Sequence, residues 1–145
     1  TSSVFFVGND TLSNASGGEY IAYLFAEKQG YSKFGSYTGN GNADGTFVYT
    51  GFKPAFVLYK GTAADTRWIM IDNKRDNFNS TNTHALTANS NVVENVGFWD
   101  LDLLSNGFKL RLNDAEANGS GASYIYMAFA EQPFVTSTGV PATAR

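Results

Sequence analysis

One histidine and no cysteine leave this chain little nucleophilic chemistry. His84 follows the polar run Asn79-Ser80-Thr81-Asn82-Thr83. A Ser-His-Asp site needs an exposed serine beside a base that a carboxylate orients, and no Gly-x-Ser-x-Gly elbow occurs in the sequence. Without cysteine there is no thiol catalysis, no disulfide and no thiolate metal site. Carboxylates are more plentiful. Asp100 and Asp102 alternate along one stretch, so a strand would point both to the same face, and Asp72 and Asp76 bracket a turn around Arg75. Two carboxyls about 5 to 10 Å apart are what glycoside hydrolysis asks for. Neither pair sits in a context that would perturb its proton affinity, so no residue is assigned a catalytic role and no enzymatic activity is expected.

Metal binding has one candidate, the run Asn40-Gly41-Asn42-Ala43-Asp44-Gly45. The alternating side-chain oxygens of Asn40, Asn42 and Asp44 resemble the opening of a calcium loop. The first ligand is Asn rather than Asp, and the twelfth position falls on Gly51 rather than Glu. A turn stabilised by Asx hydrogen bonds accounts for the same letters without an ion. Sugar binding is the remaining chemistry, because aromatic faces stack on pyranose rings. The candidates are Tyr31, Phe34, Tyr37, Phe78 and Trp99, although most of the aromatic residues must be core.

The elements that position these residues read as strands. Charged residues make up 16% of the chain and aromatics 15%, a balance that suits pleated, half-buried surfaces. Residues 4–7 and 20–27 read as strands, the second apolar on both faces and so central. Further strands are expected near 33–37, 47–49, 55–59 and 68–71, with a long polar loop holding short pairings over 73–97. Residues 98–104 and 107–112 flank Asn106-Gly107, a strong hairpin signal, and 124–130 form a last strand. No segment joins helical spacing to helix caps. The expected fold is a single all-β domain over 1–145, an antiparallel β-sandwich of jelly-roll type with long polar loops and an extended tail over 133–145. The chain has no initiating Met and reads as the C-terminal fragment of something longer.

One internal echo crosses this layout. Residues 20–28 align with residues 124–132, sharing Tyr, Ile, Phe, Ala and Glu in register, and both stretches follow a turn rich in Gly and Ser. A true repeat would make them equivalent central strands, neighbours in one sheet. Convergence of two core strands on similar composition would give the same letters.

The net charge of −3 and pI near 5.0, with ten scattered basic residues, argue against nucleic acid as a partner. No apolar run approaches the roughly 20 residues of a membrane helix.

The runs at 20–27 and 30–41, Gly45-Thr46-Phe47-Val48-Tyr49-Thr50-Gly51-Phe52-Lys53-Pro54-Ala55-Phe56-Val57 and Leu104-Ser105-Asn106-Gly107-Phe108-Lys109-Leu110-Arg111 together resemble an uncharacterised domain family. So does the closing Tyr126-Met127-Ala128-Phe129-Ala130-Glu131. The family occurs at the C-termini of tailed-bacteriophage proteins, notably of marine phages, often downstream of a concanavalin-like jelly-roll domain. The resemblance implies a virion protein of the tail, fibre or capsid decoration, located in the virion or outside the cell. The leading reading is then a module that associates with itself and with other virion proteins and recognises host-surface glycans; apart from the calcium candidate above, no cofactor is expected. A stand-alone carbohydrate-binding module and a self-assembling surface or filament protein are the alternatives.

Overall fold

The computed structural model describes residues 4–75, 79 and 83–132. Among them the regular structure is almost wholly β. The strands are β1 Ser32–Thr38, β2 Phe47–Tyr49, β3 Pro54–Gly61, β4 Ile69–Asp72, β5 His84–Thr87, β6 Asn95–Val96, β7 Leu101–Leu104, β8 Gly107–Leu110 and β9 Ser123–Ala130. A single helical turn, α1 Thr11–Asn14, is capped by the Asp10 side chain. The strands form two antiparallel sheets, one ordered β1-β9-β3-β4-β5-β6 and the other β2-β8-β7. The fold is therefore the all-β sandwich that the composition and turn chemistry predict.

Period-two alternation explains which side chains meet between the sheets. Tyr124, Tyr126 and Ala128 of β9, Val57 and Tyr59 of β3, and Ile69 and Ile71 of β4 face inward. They pack on Val48, Leu101, Leu103, Phe108 and Leu110 of the smaller sheet. The hairpin at Asn106-Gly107 forms as predicted and joins β7 to β8. Gly107 is required there: a Cβ on it would stand 2.1 Å from the Val48 carbonyl oxygen across the β2–β8 pair. Alternate residues, among them Phe56 and Phe129, lie on the outer face of the larger sheet, half-buried.

Three expectations change. Residues 20–27 are not a central strand: they are exposed, carry no strand pairing and lie outside the sheets. Residues 4–7 are likewise exposed and unpaired. Both were read from apolar runs, and an apolar run states what a segment needs to bury, not where its partner is. Consequently 20–27 and β9 are not neighbours in one sheet; β9 lies between β1 and β3. The third change concerns His84, which sits in β5 opposite Val96 rather than in a polar loop. Of the 98–104 strand, residues 101–104 pair while Phe98 to Asp100 lead into it. Asp76, Phe78 and the tail 133–145 lie outside the described residues.

Candidate functional site

The most ligand-like surface is aromatic and lies where β1, β9 and β3 run side by side. Phe129 is its centre. It stands opposite Ser32 of β1 and Phe56 of β3 in the sheet register. The ring centroids of Phe34, Tyr31 and Phe56 lie 5.7, 6.2 and 6.3 Å from its own. Phe25 closes the group at 5.7 Å from Phe129 and 6.2 Å from Phe34. Several of these contacts are edge-to-face, the geometry the ring quadrupole favours. Glu27 fixes the rim: Oε1 accepts from the Phe34 amide at 3.1 Å and Oε2 from Lys33 Nζ at 3.2 Å. That amide, followed by Lys33, holds the Glu27 carboxyl below its ordinary value.

Of the five predicted aromatics, the fold brings Tyr31 and Phe34 together here, with Tyr31 exposed at its edge. Tyr37 and Trp99 are core residues instead. Tyr37 stacks on Tyr124 at 4.8 Å, and its hydroxyl donates to the Ala117 carbonyl at 2.8 Å. Burial raises its phenol. Trp99 fills space ahead of β7, with the Arg67 guanidinium 5.7 Å from its ring. Neither face is open to a ligand. Phe78 lies outside the described residues. Sequence reasoning passed over Phe56 and Phe129 because it assigned strand aromatics to the core. The alternation of β9 holds the missing signal, since Phe129 is out of phase with Tyr124 and Tyr126.

The Asn40, Asn42 and Asp44 loop is closed by its own hydrogen bonds. Asn42 N donates to Asn40 Oδ1 at 3.0 Å, and Asp44 N donates to Asn42 Oδ1 at 2.9 Å. Asn40 Nδ2 donates to the Asp44 carbonyl at 3.0 Å. Asp44 pairs with Lys109, whose ammonium holds the carboxyl below its ordinary value. The oxygens that a cation would need thus already accept hydrogen bonds, which favours the Asx-turn reading. Fully buried Asn118 ties the loop to the body. Its Oδ1 accepts from Asn40 N at 3.0 Å and from Thr46 Oγ1 at 3.2 Å. Its Nδ2 lies 2.8 Å from Asn40 Oδ1, 2.9 Å from the Asn42 carbonyl and 2.8 Å from the Leu112 carbonyl. Sequence reasoning did not single out Asn118, because one Asn among many carries no local mark of burial.

Asp100 and Asp102 each hold a partner of their own, and Asp76 lies outside the described residues. Asp100 Oδ1 accepts from the Thr83 amide at 3.1 Å, while Asp102 lies 3.4 Å from Arg111 Nε. Asp72 accepts from the amides of Lys74 and Arg75 and from Arg75 Nε. Partial burial raises its carboxyl, but those donors outweigh it and the net shift is downward. A half-open cleft of about 240 Å³ where β3 ends and β9 begins is lined by Gly61, Thr62, Ala63, Thr66, Ser123 and Tyr124, among others, with no charged side chain. It is smaller than typical small-molecule sites, which run to roughly 300–1,000 Å³.

Comparison with known proteins gives a family and nothing finer. The family model for a domain of unknown function, DUF7483, matches residues 1–133, so the chain belongs to that family. No curated protein and no solved structure matches it.

Proposed function

We propose that this chain is a non-catalytic structural module of a bacteriophage particle, part of a tail, fibre or surface decoration, that works by associating with its own kind and with other virion proteins. The observation that carries the reading is the apolar surface of residues 4–25. Val4, Phe5, Phe6, Leu12, Ile21, Tyr23, Leu24 and Phe25 are all exposed. At about 150–250 Å² for a large side chain, they leave on the order of 1,000 Å² of apolar area in water. Monomeric domains rarely expose patches beyond a few hundred Å² unless a partner covers them. The particle assignment is supported by the resemblance of the 20–27, 30–41, 45–57, 104–111 and 126–131 runs to phage protein C-termini.

A second reading, host-glycan recognition by the same module, is favoured by the position of Tyr31 beside Phe34 and Phe129. One such shelf binds weakly, and an oligomer would multiply it by avidity. Sedimentation velocity over a wide concentration range, with binding assays on host envelope and phage particles, tests both. Concentration-dependent association with binding to either is the expected result. A chain that stays monomeric at high concentration and binds neither overturns the proposal. A glycan array without a hit removes the second reading alone.

A further inference from the structure

The exposed segment 4–27 and the segment 108–131, built into the sandwich, carry the same hydrogen-bonded turn. From Asn14 to Asn118 and from Tyr20 to Tyr124 the separation is 104 positions, and the two segments align at that separation without a gap. Ten of the 24 aligned positions are identical, among them Asp10 and Asp114, Asn14 and Asn118, Gly17 and Gly121, and Tyr20 and Tyr124. Letters alone leave convergence open. The hydrogen bonds do not.

Leu12 N donates to Asp10 Oδ1 at 2.7 Å, and Glu116 N to Asp114 Oδ1 at 2.8 Å. Asn14 N donates to the Asp10 carbonyl at 2.8 Å, and Asn118 N to the Asp114 carbonyl at 2.7 Å. Asn14 Nδ2 reaches the Gly8 carbonyl at 2.7 Å, and Asn118 Nδ2 the Leu112 carbonyl at 2.8 Å. The Tyr20 hydroxyl accepts from Ala15 N at 2.8 Å and donates to the Thr11 carbonyl at 3.0 Å. The Tyr124 hydroxyl accepts from Gly119 N at 2.8 Å and donates to the Ala115 carbonyl at 2.6 Å. Gly17 and Gly121 both take left-handed backbone, with φ of 74° and 72°. Every partner in one set lies 104 positions from its counterpart in the other.

The environments differ completely. Tyr124, Leu110 and Ala128 are 0% exposed, whereas their counterparts Tyr20, Phe6 and Leu24 are 48%, 90% and 69% exposed. The first segment has kept the internal bonds of the motif and lacks what the second packs against, namely β1 to β7. We infer that residues 4–27 are the closing β8–β9 element of a second sandwich unit, and that their partner is a polypeptide of this same fold supplying strands equivalent to β1–β7. That partner covers the apolar surface on which the assembly reading rests, while the inference itself stands on the duplicated hydrogen bonds.

The register follows. Val4 and Phe6 occupy the places of Phe108 and Leu110 in the small sheet. Tyr20, Ala22 and Leu24 occupy those of Tyr124, Tyr126 and Ala128 in the large one. Ala22-x-Leu24 against Tyr126-x-Ala128 inverts a large-small pair at adjacent inward positions, which changes the local shape more than the total volume filled. Asn14 then takes the role of Asn118, closing an Asn-x-Asn loop in the partner as Asn118 closes Asn40 to Asn42.

A lengthened chain in which residues 28–106 are placed ahead of Ser3 of the full sequence supplies the partner in the correct register, with the native sandwich downstream as an internal control. Amide exchange at residues 20–25 is expected to slow at least about a hundredfold relative to the native chain, together with protection of the added strands. Asn14→Ala in the lengthened chain is expected to abolish both while leaving the downstream unit's melting unchanged. Added strands that exchange like unfolded chain beside an intact downstream unit overturn the inference, as does protection of the segment that Asn14→Ala leaves untouched. Neither result alters the sedimentation behaviour of the native chain, so the assembly reading stands or falls separately.

Discussion

Residues 4–27 and 108–131 carry one motif in two settings, and the contrast separates what a segment encodes from what its surroundings add. The backbone turn from Asp to Asn, the Asx bonds, the left-handed glycine and the tyrosine bridge form in both, because their partners lie within about ten residues along the chain. Strand pairing and burial occur in the second alone, because they need β1, β3 and β2, which come from elsewhere in the sequence. A β-strand has no hydrogen bonds of its own, so an apolar segment without a neighbour stays extended and exposed.

Matched substitutions at counterpart positions test this contrast. The largest difference is expected at the asparagines. Asn118→Ala removes five part-buried hydrogen bonds from one fully buried side chain and should cost about 3 kcal/mol or more, whereas Asn14→Ala should shift stability by less than about 0.5 kcal/mol; urea unfolding midpoints measure both. Next come the core positions. Leu110→Ala should cost about 2–5 kcal/mol through the cavity it leaves, while Phe6→Ala should leave the midpoint unchanged and reduce self-association and dye binding to exposed apolar surface. Equal costs at the two positions would show that the N-terminal segment is already packed, and would break the comparison.

The tyrosines should differ by less. Tyr124→Phe removes the acceptor of the half-buried Gly119 amide and should cost about 1–2 kcal/mol, with Tyr20→Phe near zero by thermal denaturation. The smallest effect concerns pH. Glu27 and Glu131 are counterparts, and both carboxyls are held below the ordinary value of 4.5. Lys74 and then Asn73 depress Glu131, across the sheet, whereas the Phe34 amide and Lys33 depress Glu27 close by in the chain. A lowered folded-state value means that the unfolded chain binds more protons, so the stabilisation is present above 4.5 and fades as pH falls through the folded value. Glu131→Gln should flatten the acid limb of the stability curve slightly, and Glu27→Gln should flatten it less.

The sandwich was legible in the sequence because its signals are local. Short apolar runs bounded by turn residues placed β3 and β9, and Asn106-Gly107 placed the β7–β8 hairpin. The Asx turns at Asn40 and Asn42 were legible for the same reason. The candidate site was legible in part. Tyr31 and Phe34 gather around Phe129, but Tyr37 and Trp99 are buried, since aromatic composition does not say which face of a strand meets the opposing sheet. Residues 20–27 were misplaced because their pattern is that of a central strand, and in this chain the strands that would flank them are already held by β9.

By itself the sequence determined the chemistry: an all-β domain, without thiols and with a single histidine, punctuated by Asx and glycine turns. The echo between residues 20–28 and 124–132 was also visible there. Tertiary structure decided which copy of the echoed motif is buried and which is bare. Hydrogen bonds within a turn depend on neighbours in the chain, whereas burial depends on neighbours in space. Only the folded sandwich shows that one copy has those neighbours and the other does not.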